Sequence, residues 1–248
     1  MRKVALITGG GRGIGAATAK LAAQNGYDVC ISYVSNDEAA ARVVEACQTE
    51  GARALAVKSD VGRSQDVDTL FAACDDQLGP VTLLVNNAGI IGAASSVSQL
   101  PDEVLRRTFE VNVFGPFYCA RAAISRMALS SGGEGGVIIN ISSMAARIGS
   151  PNEYVHYAAS KGALDSFTIG LSKELGRDGI RVNGIHAGTA DTEIHKLSGN
   201  PDRPQMVADT APLGRVGLPL DMAEAVIWLA SSKADYITGA TLSVSGGL

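Results

Sequence analysis

Tyr157 and Lys161 stand four residues apart in a stretch typical of a helix, so both side chains can lie on one face of it. A free tyrosine has a pKa of about 10, which is too high for proton exchange at neutral pH. A lysine cation beside the phenol favours the phenolate and lowers that pKa. Taken alone, the spacing is more typical of a solvated helix face. Only the other motifs of the chain make a catalytic pair the better interpretation.

A glycine-rich turn follows the first predicted strand, Val4 to Ile7, and precedes a predicted helix, Ala16 to Asn25. Glycines let a backbone approach a pyrophosphate, and a helix N-terminus offers free N–H groups and a positive dipole end. The sequence therefore predicts a dinucleotide site in this turn. Its expected binding residues are Gly9, Gly11, Arg12, Gly13, Ile14 and Gly15.

Further motifs follow in a fixed order along the chain. They are Asn86-Asn87-Ala88-Gly89 after the predicted strand Val81 to Val85, Asn112 in a predicted fourth helix, Ile141-Ser142-Ser143 ending the predicted strand Val137 to Ile141, and Ile180-Arg181-Val182-Asn183. Together with the glycine turn and the Tyr157/Lys161 pair, they resemble the short-chain dehydrogenase/reductase family. The similarity runs from Lys3 to Gly247, essentially the whole chain.

The resemblance implies an α/β fold, a single doubly wound parallel sheet of the Rossmann type with about seven strands and helices on both faces. The 248 residues contain no proline-, serine- or charge-rich linker, and strand-like and helix-like segments alternate throughout. We therefore predict one dehydrogenase/reductase domain over residues 1–248. Residues 190–213, rich in glycine and proline, are predicted to form a mobile lid over the substrate.

The resemblance also assigns roles to four residues. Tyr157 is expected to act as general acid in carbonyl reduction, or as base in alcohol oxidation. Ser143 is expected to hydrogen-bond the carbonyl oxygen, and Lys161 to lower the phenol pKa and bind the nicotinamide ribose. Asn112 is expected to support a water that links Lys161 to solvent.

The end of the second predicted strand, Val29 to Tyr33, indicates which nicotinamide cofactor is used. An NAD enzyme usually carries an acidic residue there, which hydrogen-bonds the ribose 2′-hydroxyl, and this chain has Tyr33 instead. Arg12 is placed to pair with a 2′-phosphate. We therefore expect NADP(H), with NAD(H) as the weaker alternative. By resemblance, the remaining cofactor contacts come from Asp60, Val61, Asn86, Ala88, Gly89, Gly188 and Thr192, besides Tyr157 and Lys161.

Two positions depart from the family pattern. Ser143 and Tyr157 enclose thirteen residues, one more than is usual in the family. Either the intervening loop carries an insertion near Gly149-Ser150-Pro151, or Ser142 takes the catalytic role instead of Ser143. The Pro-Gly dipeptide expected after the sixth strand is Ala187-Gly188, which removes rigidity from that loop.

The substrate is less well defined, because it should lie between three variable segments, residues 90–97, 144–154 and 190–213. Glu153 and His156 flank the tyrosine and could meet a sugar or polyol. One alternative is a 3-oxoacyl-thioester reductase, which would need a basic patch for an acidic carrier. Another is a non-catalytic NADP(H)-binding redox sensor, against which the intact catalytic set argues. The candidate basic patch consists of Arg106, Arg107, Arg121 and Arg126.

Composition excludes several other classes. A net charge of -4 without a basic stripe argues against nucleic-acid binding, and no apolar run is long enough to cross a bilayer. The four cysteines and three histidines lack metal-ligand spacing, so we predict no metal and a reduced, cytoplasmic protein. Small residues after Tyr157 permit close helix contact, and by resemblance we expect a homotetramer. These residues are Ala158, Ala159, Gly162, Ala163 and Gly170.

Overall fold

The computed structural model describes residues 2–190 and 207–248. Seven strands form one parallel sheet in the order β3-β2-β1-β4-β5-β6-β7. The strands are β1 (Lys3–Ile7), β2 (Tyr27–Tyr33), β3 (Ala54–Lys58), β4 (Leu83–Asn86), β5 (Gly136–Ser143), β6 (Ile180–Ala187) and β7 (Thr241–Val244). β1 lies inside the sheet, and β2 and β3 follow it towards one edge. The chain then crosses back to β4 on the other side of β1, and β5, β6 and β7 follow towards the opposite edge.

Helices cover both faces of the sheet. Among the described residues, the α-helices are α1 (Gly13–Gln24), α2 (Asp37–Thr49), α3 (Ser64–Gln77), α4 (Asp102–Phe109), α5 (Gly115–Met127), α6 (Ala145–Ile148), α7 (Val155–Leu175) and α8 (Pro219–Ala230). The buried residues of α1, α2 and α8 pack in the core on one face, and those of α3, α5 and α7 pack in the core on the other.

The first strand shows why the sequence folds this way. Successive strand side chains point to opposite faces, so a strand covered on both sides must be apolar at every position. Ala5 and Ile7 join the core beneath α1, whereas Val4 and Leu6 join the core beneath α3. The predicted α/β class, with one doubly wound parallel sheet of seven strands, is confirmed.

Element boundaries differ from the predictions by a few residues. The fourth strand begins at Leu83 rather than Val81, because pairing with β1 starts only at Leu83. The second strand already begins at Tyr27, which pairs with Lys3. The first helix begins at Gly13, within the glycine turn.

The predicted fourth helix is divided into three parts. Between α4 and α5, residues Glu110–Phe114 form a π-helical turn that contains Asn112. Pro116 has no N–H, so it cannot donate to the carbonyl of Asn112, its α-helical partner. The helix widens at this point instead, as π-turns commonly do beside functional sites.

The described residues contain neither a membrane-spanning helix nor a metal-binding cluster. None of their helices combines the length and the apolar content that a bilayer crossing requires. Among the same residues, no cluster of histidine, cysteine, aspartate and glutamate is arranged to hold a metal ion.

Candidate active site

The strand order reverses between β1 and β4, and the predicted motifs follow the carboxyl ends of these strands and of β5. In open α/β sheets, ligands bind at such a switch point, where loops leave in opposite directions and open a crevice. The fold thus brings the glycine turn, the segment after β4 and the end of β5 to one edge of the sheet.

The glycine turn leaves no room for side chains on its inner side. Gly9 has φ +62°, a conformation that favours glycine. A Cβ on Gly10 would stand 2.5 Å from Ile31 in the core, and one on Gly15 would stand 2.5 Å from the side-chain nitrogen of Asn87. The turn therefore packs directly on β2 and on the segment after β4, with its backbone facing the crevice.

Asn87 and Thr8 fix the glycine turn to the segment after β4. The Asn87 amide donates to the carbonyls of Thr8 at 2.8 Å and Gly9 at 3.1 Å. In return, the Thr8 hydroxyl accepts from the N–H groups of Asn87 and Ala88, both at 3.0 Å. Neither Thr8 nor Asn87 is among the binding residues predicted from the sequence. The pair of adjacent asparagines is the signal in the sequence that points to Asn87.

The first turn of α1 suits a phosphate group. Arg12 precedes the helix in an extended conformation and its side chain makes no capping hydrogen bond, and the first turn holds no acidic residue. The N–H groups and the positive dipole end are thus available to an anion. Together with the tightly packed glycine turn, this fits the pyrophosphate of a dinucleotide, which Gly9, Gly11, Gly13, Ile14 and Gly15 would hold.

Tyr33 ends β2 as predicted, and the nearest carboxylate is engaged. Desolvation and the negative charge of the neighbouring Asp37 raise the pKa of Tyr33 above its usual value. Asp37 also lies 3.8 Å from the Lys58 ammonium and occupies the first turn of α2. Asn36 caps that helix by accepting from the N–H of Ala39 at 2.9 Å.

Asp60, the expected adenine-side residue, is held by an arginine. Both its carboxylate oxygens accept from one nitrogen of Arg107, at 2.8 and 2.7 Å, and one also accepts from the Gly62 N–H at 3.0 Å. Although burial opposes it, this bonding lowers the pKa of Asp60. Next to it, Val61 packs against Gly115, where a Cβ would stand 2.9 Å from the valine. The Asp60 side chain therefore anchors the turn, so the contact with adenine that the resemblance implies would have to come from its backbone.

Asn86 faces the interior of the fold rather than the crevice. Its amide donates to the side-chain oxygen of Asn140 at 2.9 Å, and Asn140 in turn donates to Thr168 at 2.9 Å. The expected cofactor contact of Asn86 can thus come only from its backbone. Ala88 and Gly89, which follow it, lie at the crevice and are half-buried.

Tyr157 and Lys161 lie on one face of α7, as their spacing predicts. The Lys161 ammonium stands 5.8 Å from the centroid of the Tyr157 ring and donates to the Ile141 carbonyl at 2.7 Å. Lys161 is only 4% exposed. Burial lowers its pKa from 10.5 to about 8, although the negative charge of Asp165 opposes that shift. A partly exposed phenol therefore lies beside a poorly solvated cation, which favours the phenolate.

Asn112 lies within the π-turn and is completely buried. Its amide donates to the Ile90 carbonyl at 2.8 Å and to the Ser160 hydroxyl at 3.0 Å, and its oxygen accepts from the Ile90 N–H at 2.9 Å. A Cβ on Gly89 would stand 3.4 Å from both the Asn112 oxygen and the Lys161 nitrogen. The fold thus brings Asn112 and Lys161 to the same glycine.

The two candidate serines face opposite ways because they are neighbours on β5. Ser142 is buried and its hydroxyl donates to the Lys161 backbone carbonyl at 3.3 Å. Ser143 is half-buried, and its hydroxyl oxygen accepts from the Ala145 N–H at 3.1 Å, which leaves its proton for another partner. This geometry favours Ser143 as the residue that meets a substrate.

The loop with the proposed insertion contains unusual backbone. Gly149, Ser150 and Asn152 have φ values of +75°, +43° and +63°. Two of these are not glycine, and such conformations cluster at ligand sites. The Ser95 N–H donates to the Glu153 carbonyl at 2.8 Å, so this loop is joined to the segment after β4. The two segments predicted to border the substrate are therefore in contact.

The remaining predictions have mixed outcomes. Gly188 packs tightly, since a Cβ there would stand 2.7 Å from Ser245. Thr192 and most of the predicted lid lie outside the described residues. In the candidate basic patch, Arg107 bonds Asp60 and Arg126 bonds Asp75 at 2.6 Å. Arg106 and Arg121 are exposed.

Replacing Gly15 with alanine is expected to disrupt the cofactor site. The added Cβ must displace either the Asn87 amide or the Gly9 carbonyl, and such overpacking costs about 1–3 kcal/mol. We expect a lower melting temperature and NADPH binding weakened by about tenfold or more, measured by fluorescence titration. Gly176→Ala at the C-terminal end of α7, where φ is −58° and nothing lies within 4 Å, is the control and should raise the melting temperature slightly. Equal effects of the two substitutions would contradict this assignment of the turn.

Comparison with known proteins identifies the family. A family model described as enoyl-(acyl carrier protein) reductase matches residues 9–248. The uncharacterized oxidoreductase YgfF of Escherichia coli K12 is 45% identical over 244 residues, which cover 98% of this chain and 99% of that protein. L-rhamnose 1-dehydrogenase (NAD(P)(+)) of a Sphingomonas species is 40% identical, over 99% of this chain and 96% of that protein.

Among solved structures, a short-chain dehydrogenase from Burkholderia cenocepacia in complex with NADP is similar with a TM-score of 0.89. It is 33% identical, over 99% of this chain and 97% of that one. A Rossmann-type sheet with a Tyr157/Lys161 pair at its switch point defines a class of nicotinamide-dependent oxidoreductases. The chain belongs to the short-chain dehydrogenase/reductase family, as its motifs predict.

Proposed function

We propose that the protein is an NADP(H)-dependent oxidoreductase that interconverts a carbonyl and a secondary alcohol by hydride transfer. The observation that carries the proposal is the Tyr157 phenol beside the buried Lys161 ammonium, at the switch point of the sheet. A protein that only senses NADP(H) has no use for this pair.

The nicotinamide supplies or accepts the hydride at the carbon of the substrate. In reduction, Tyr157 donates its phenolic proton to the substrate oxygen, and in oxidation its phenolate accepts that proton. The Ser143 hydroxyl donates a hydrogen bond to the same oxygen and holds it near the phenol. Both groups are partly exposed at the crevice.

Lys161 has two functions in this proposal. Its charge stabilises the phenolate and so brings the phenol pKa towards neutral pH, where general acid–base catalysis is most effective. Its ammonium also has donors to spare for the ribose of the cofactor, since the Ile141 carbonyl takes one of three. Asn112, fixed by Ile90 and Ser160, supports the water path by which Tyr157 regains a proton.

NADP(H) is the proposed cofactor because no unpaired carboxylate ends β2. Tyr33 occupies the strand end, and the neighbouring Asp37 lies 3.8 Å from the Lys58 ammonium. Arg12 and Lys58 are the cations proposed to meet a 2′-phosphate. The NADP in the Burkholderia structure supports this, while the relative that acts on L-rhamnose carries NAD(P)(+) in its name.

Replacing Arg12 with alanine is expected to lower the preference for NADPH over NADH by about 10- to 100-fold. The basis is the loss of a charged hydrogen bond worth about 1.5–3 kcal/mol. The ratio of the two kcat/KM values measures it. Arg42→Ala, which removes an exposed arginine from α2, should leave the ratio unchanged. An unchanged ratio in the Arg12 variant would assign the phosphate to other residues.

For the substrate we propose a small sugar or polyol. The half-buried Glu153 and the exposed Asn152 of the same loop are the polar groups proposed to meet it, and the relative that acts on L-rhamnose spans almost the whole chain. A 3-oxoacyl thioester is less well supported, since two of the four candidate arginines are paired with carboxylates.

A substrate panel tests the proposed function. NADPH oxidation would be followed by its absorbance with ketones, sugars and 3-oxoacyl thioesters, with NADH in parallel. We expect turnover with NADPH on at least one hydroxylated carbonyl compound. Tight NADPH binding without turnover on any class would favour a sensor instead.

We further propose a cytoplasmic homotetramer. All four cysteines are buried free thiols, which fits a reducing compartment. Phe117 of α5 and Ile169 of α7 are exposed, and no atom lies within 4 Å of a Cβ built on Gly162 or Gly170. Ala158, in contrast, is buried within its own chain. These exposed positions support pairing of α5 and α7 across a two-fold axis.

A further inference from the structure

An acid–imidazole pair, the half-buried Asp165 and the buried His186, lies behind the lysine that we propose to be catalytic. Tyr157, Lys161 and Asp165 follow one another at intervals of four on α7, so they share one helix face. Asp165 is bonded to His186 of β6, whose Nε2 lies 2.7 Å from a carboxylate oxygen. His186 lies opposite Ser142 in the β5–β6 register, which brings the pair next to the catalytic elements.

The hydrogen bond between Asp165 and His186 leaves one polar atom of each side chain without a partner in the part of the chain that the structure describes. The second oxygen of Asp165 and the Nδ1 of His186 are both buried and, among the described residues, have no hydrogen-bond partner. Buried polar groups left in this state are unfavourable, so two of them side by side need a reason beyond packing. An apolar pair at the same positions would serve packing better.

The charges around Lys161 suggest that reason. On α7, Tyr157 and Asp165 lie on the same face as Lys161. His186 of β6 is bonded to Asp165 rather than to Lys161. β5 contributes two uncharged groups, the Ile141 carbonyl and the Ser142 hydroxyl, and the π-turn contributes the neutral Asn112. Of the described residues, Asp165 is thus the anion that faces the lysine from these elements.

We propose that Asp165, held in place by His186, is a positioning residue that keeps Lys161 protonated and thereby keeps Tyr157 ready to exchange its proton. The Nε2–H of His186 donates to one oxygen and fixes the carboxylate, whose charge acts along the helix on the ammonium. This rests on the proposed roles of Tyr157 and Lys161. Neither Asp165 nor His186 touches the substrate.

The direction of the effect follows from charge. Burial already lowers the pKa of Lys161 to about 8, and Asp165 opposes that shift. Without the carboxylate charge, the lysine would lose its proton at a lower pH. A neutral lysine no longer stabilises the phenolate, so the pKa of Tyr157 would rise. For charges about one helix turn apart, an effect of about one to two pH units is expected.

The test is the ionisation of Tyr157 in the cofactor-free protein, read as the phenolate absorbance that is lost in Tyr157→Phe. In Asp165→Asn, which keeps the shape and can still bond His186, we expect the midpoint to move up by about one pH unit. Glu174→Gln removes an exposed charge from the same helix and should leave the midpoint unchanged. An unchanged midpoint in folded Asp165→Asn overturns the inference.

Histidine variants provide a second measurement. His186→Gln can still donate a hydrogen bond and should keep the Tyr157 midpoint near that of the wild type, whereas His186→Phe should raise it. Equal midpoints in the two folded variants would exclude a positioning role for His186. If the wild type shows no Tyr157 ionisation below that of free tyrosine, the proposed function itself loses its proton donor. That result is distinct from a failure of Asp165 alone.

Discussion

Tyr157→Phe is expected to lower kcat for carbonyl reduction by about 100- to 10,000-fold, the usual contribution of general acid–base catalysis. The substitution removes the proton that the substrate oxygen must receive, while the ring keeps its place on α7. NADPH binding should change by less than about tenfold, because the glycine turn and the start of α1 hold the larger part of the cofactor. We therefore expect a variant that still binds NADPH but reduces its substrate very slowly.

The control for this variant is Tyr236→Phe, which removes a phenol that is fully exposed. Its kcat should equal that of the wild type. Steady-state kinetics on the best substrate of the panel and fluorescence titration with NADPH measure the two quantities separately. If Tyr157→Phe retained kcat within about tenfold of the wild type, another group would have to supply the proton.

Local sequence patterns indicate the strands, helices and turns, whereas the doubly wound order of the sheet was implied by the family resemblance. The apolar run of β1, the glycine turn and the start of α1 are contiguous in the chain, and strand and helix propensities act over such short distances. The same holds for the Tyr157/Lys161 pair, because helix geometry alone places positions four apart together. These features are therefore readable without knowledge of the tertiary structure.

The contacts that support the site are long-range, and no local pattern reveals them. Arg107 reaches Asp60 across 47 positions of the chain, and Asn112 reaches Ser160 across 48. A pattern of residues can suggest that each is polar and near the site, but not which partner it takes. The π-turn is not predictable for a related reason. The sequence shows that Pro116 lacks an N–H, but not whether the helix ends, bends or widens there.

The choice between Ser142 and Ser143 shows what the sheet adds to the sequence, namely the side to which each strand residue points. In the sequence both serines end the same strand, and the spacing to Tyr157 fits neither perfectly. In the sheet they point to opposite sides, and only Ser143 is partly exposed. The assignment of Ser143 remains a prediction, and Ser143→Ala compared with Ser142→Ala would test it by the same kinetics.

Lys161→Met is expected to abolish activity and to stabilise the fold. Burial of the ammonium lowers its pKa from 10.5 to about 8, and at about 1.4 kcal/mol per pKa unit this corresponds to about 3 kcal/mol of stability lost at neutral pH. Methionine avoids that cost, although the Ile141 carbonyl loses its partner, which costs about 1 kcal/mol. We expect the free energy of unfolding at pH 7 to rise by about 2 kcal/mol and kcat to fall by at least about 100-fold.

The pH dependence separates this explanation from simple packing. Because the folded protein binds the lysine proton more weakly than the unfolded chain, the destabilisation is complete below pH about 8 and fades as pH rises towards 10.5. The stability advantage of Lys161→Met in urea denaturation should therefore shrink between pH 8 and 10.5. Lys173→Met, an exposed position on the same helix, should show no such trend. A constant advantage at every pH would mean that the buried charge is not its source. The expected trend would mean that the fold gives up stability to keep a cation beside Tyr157.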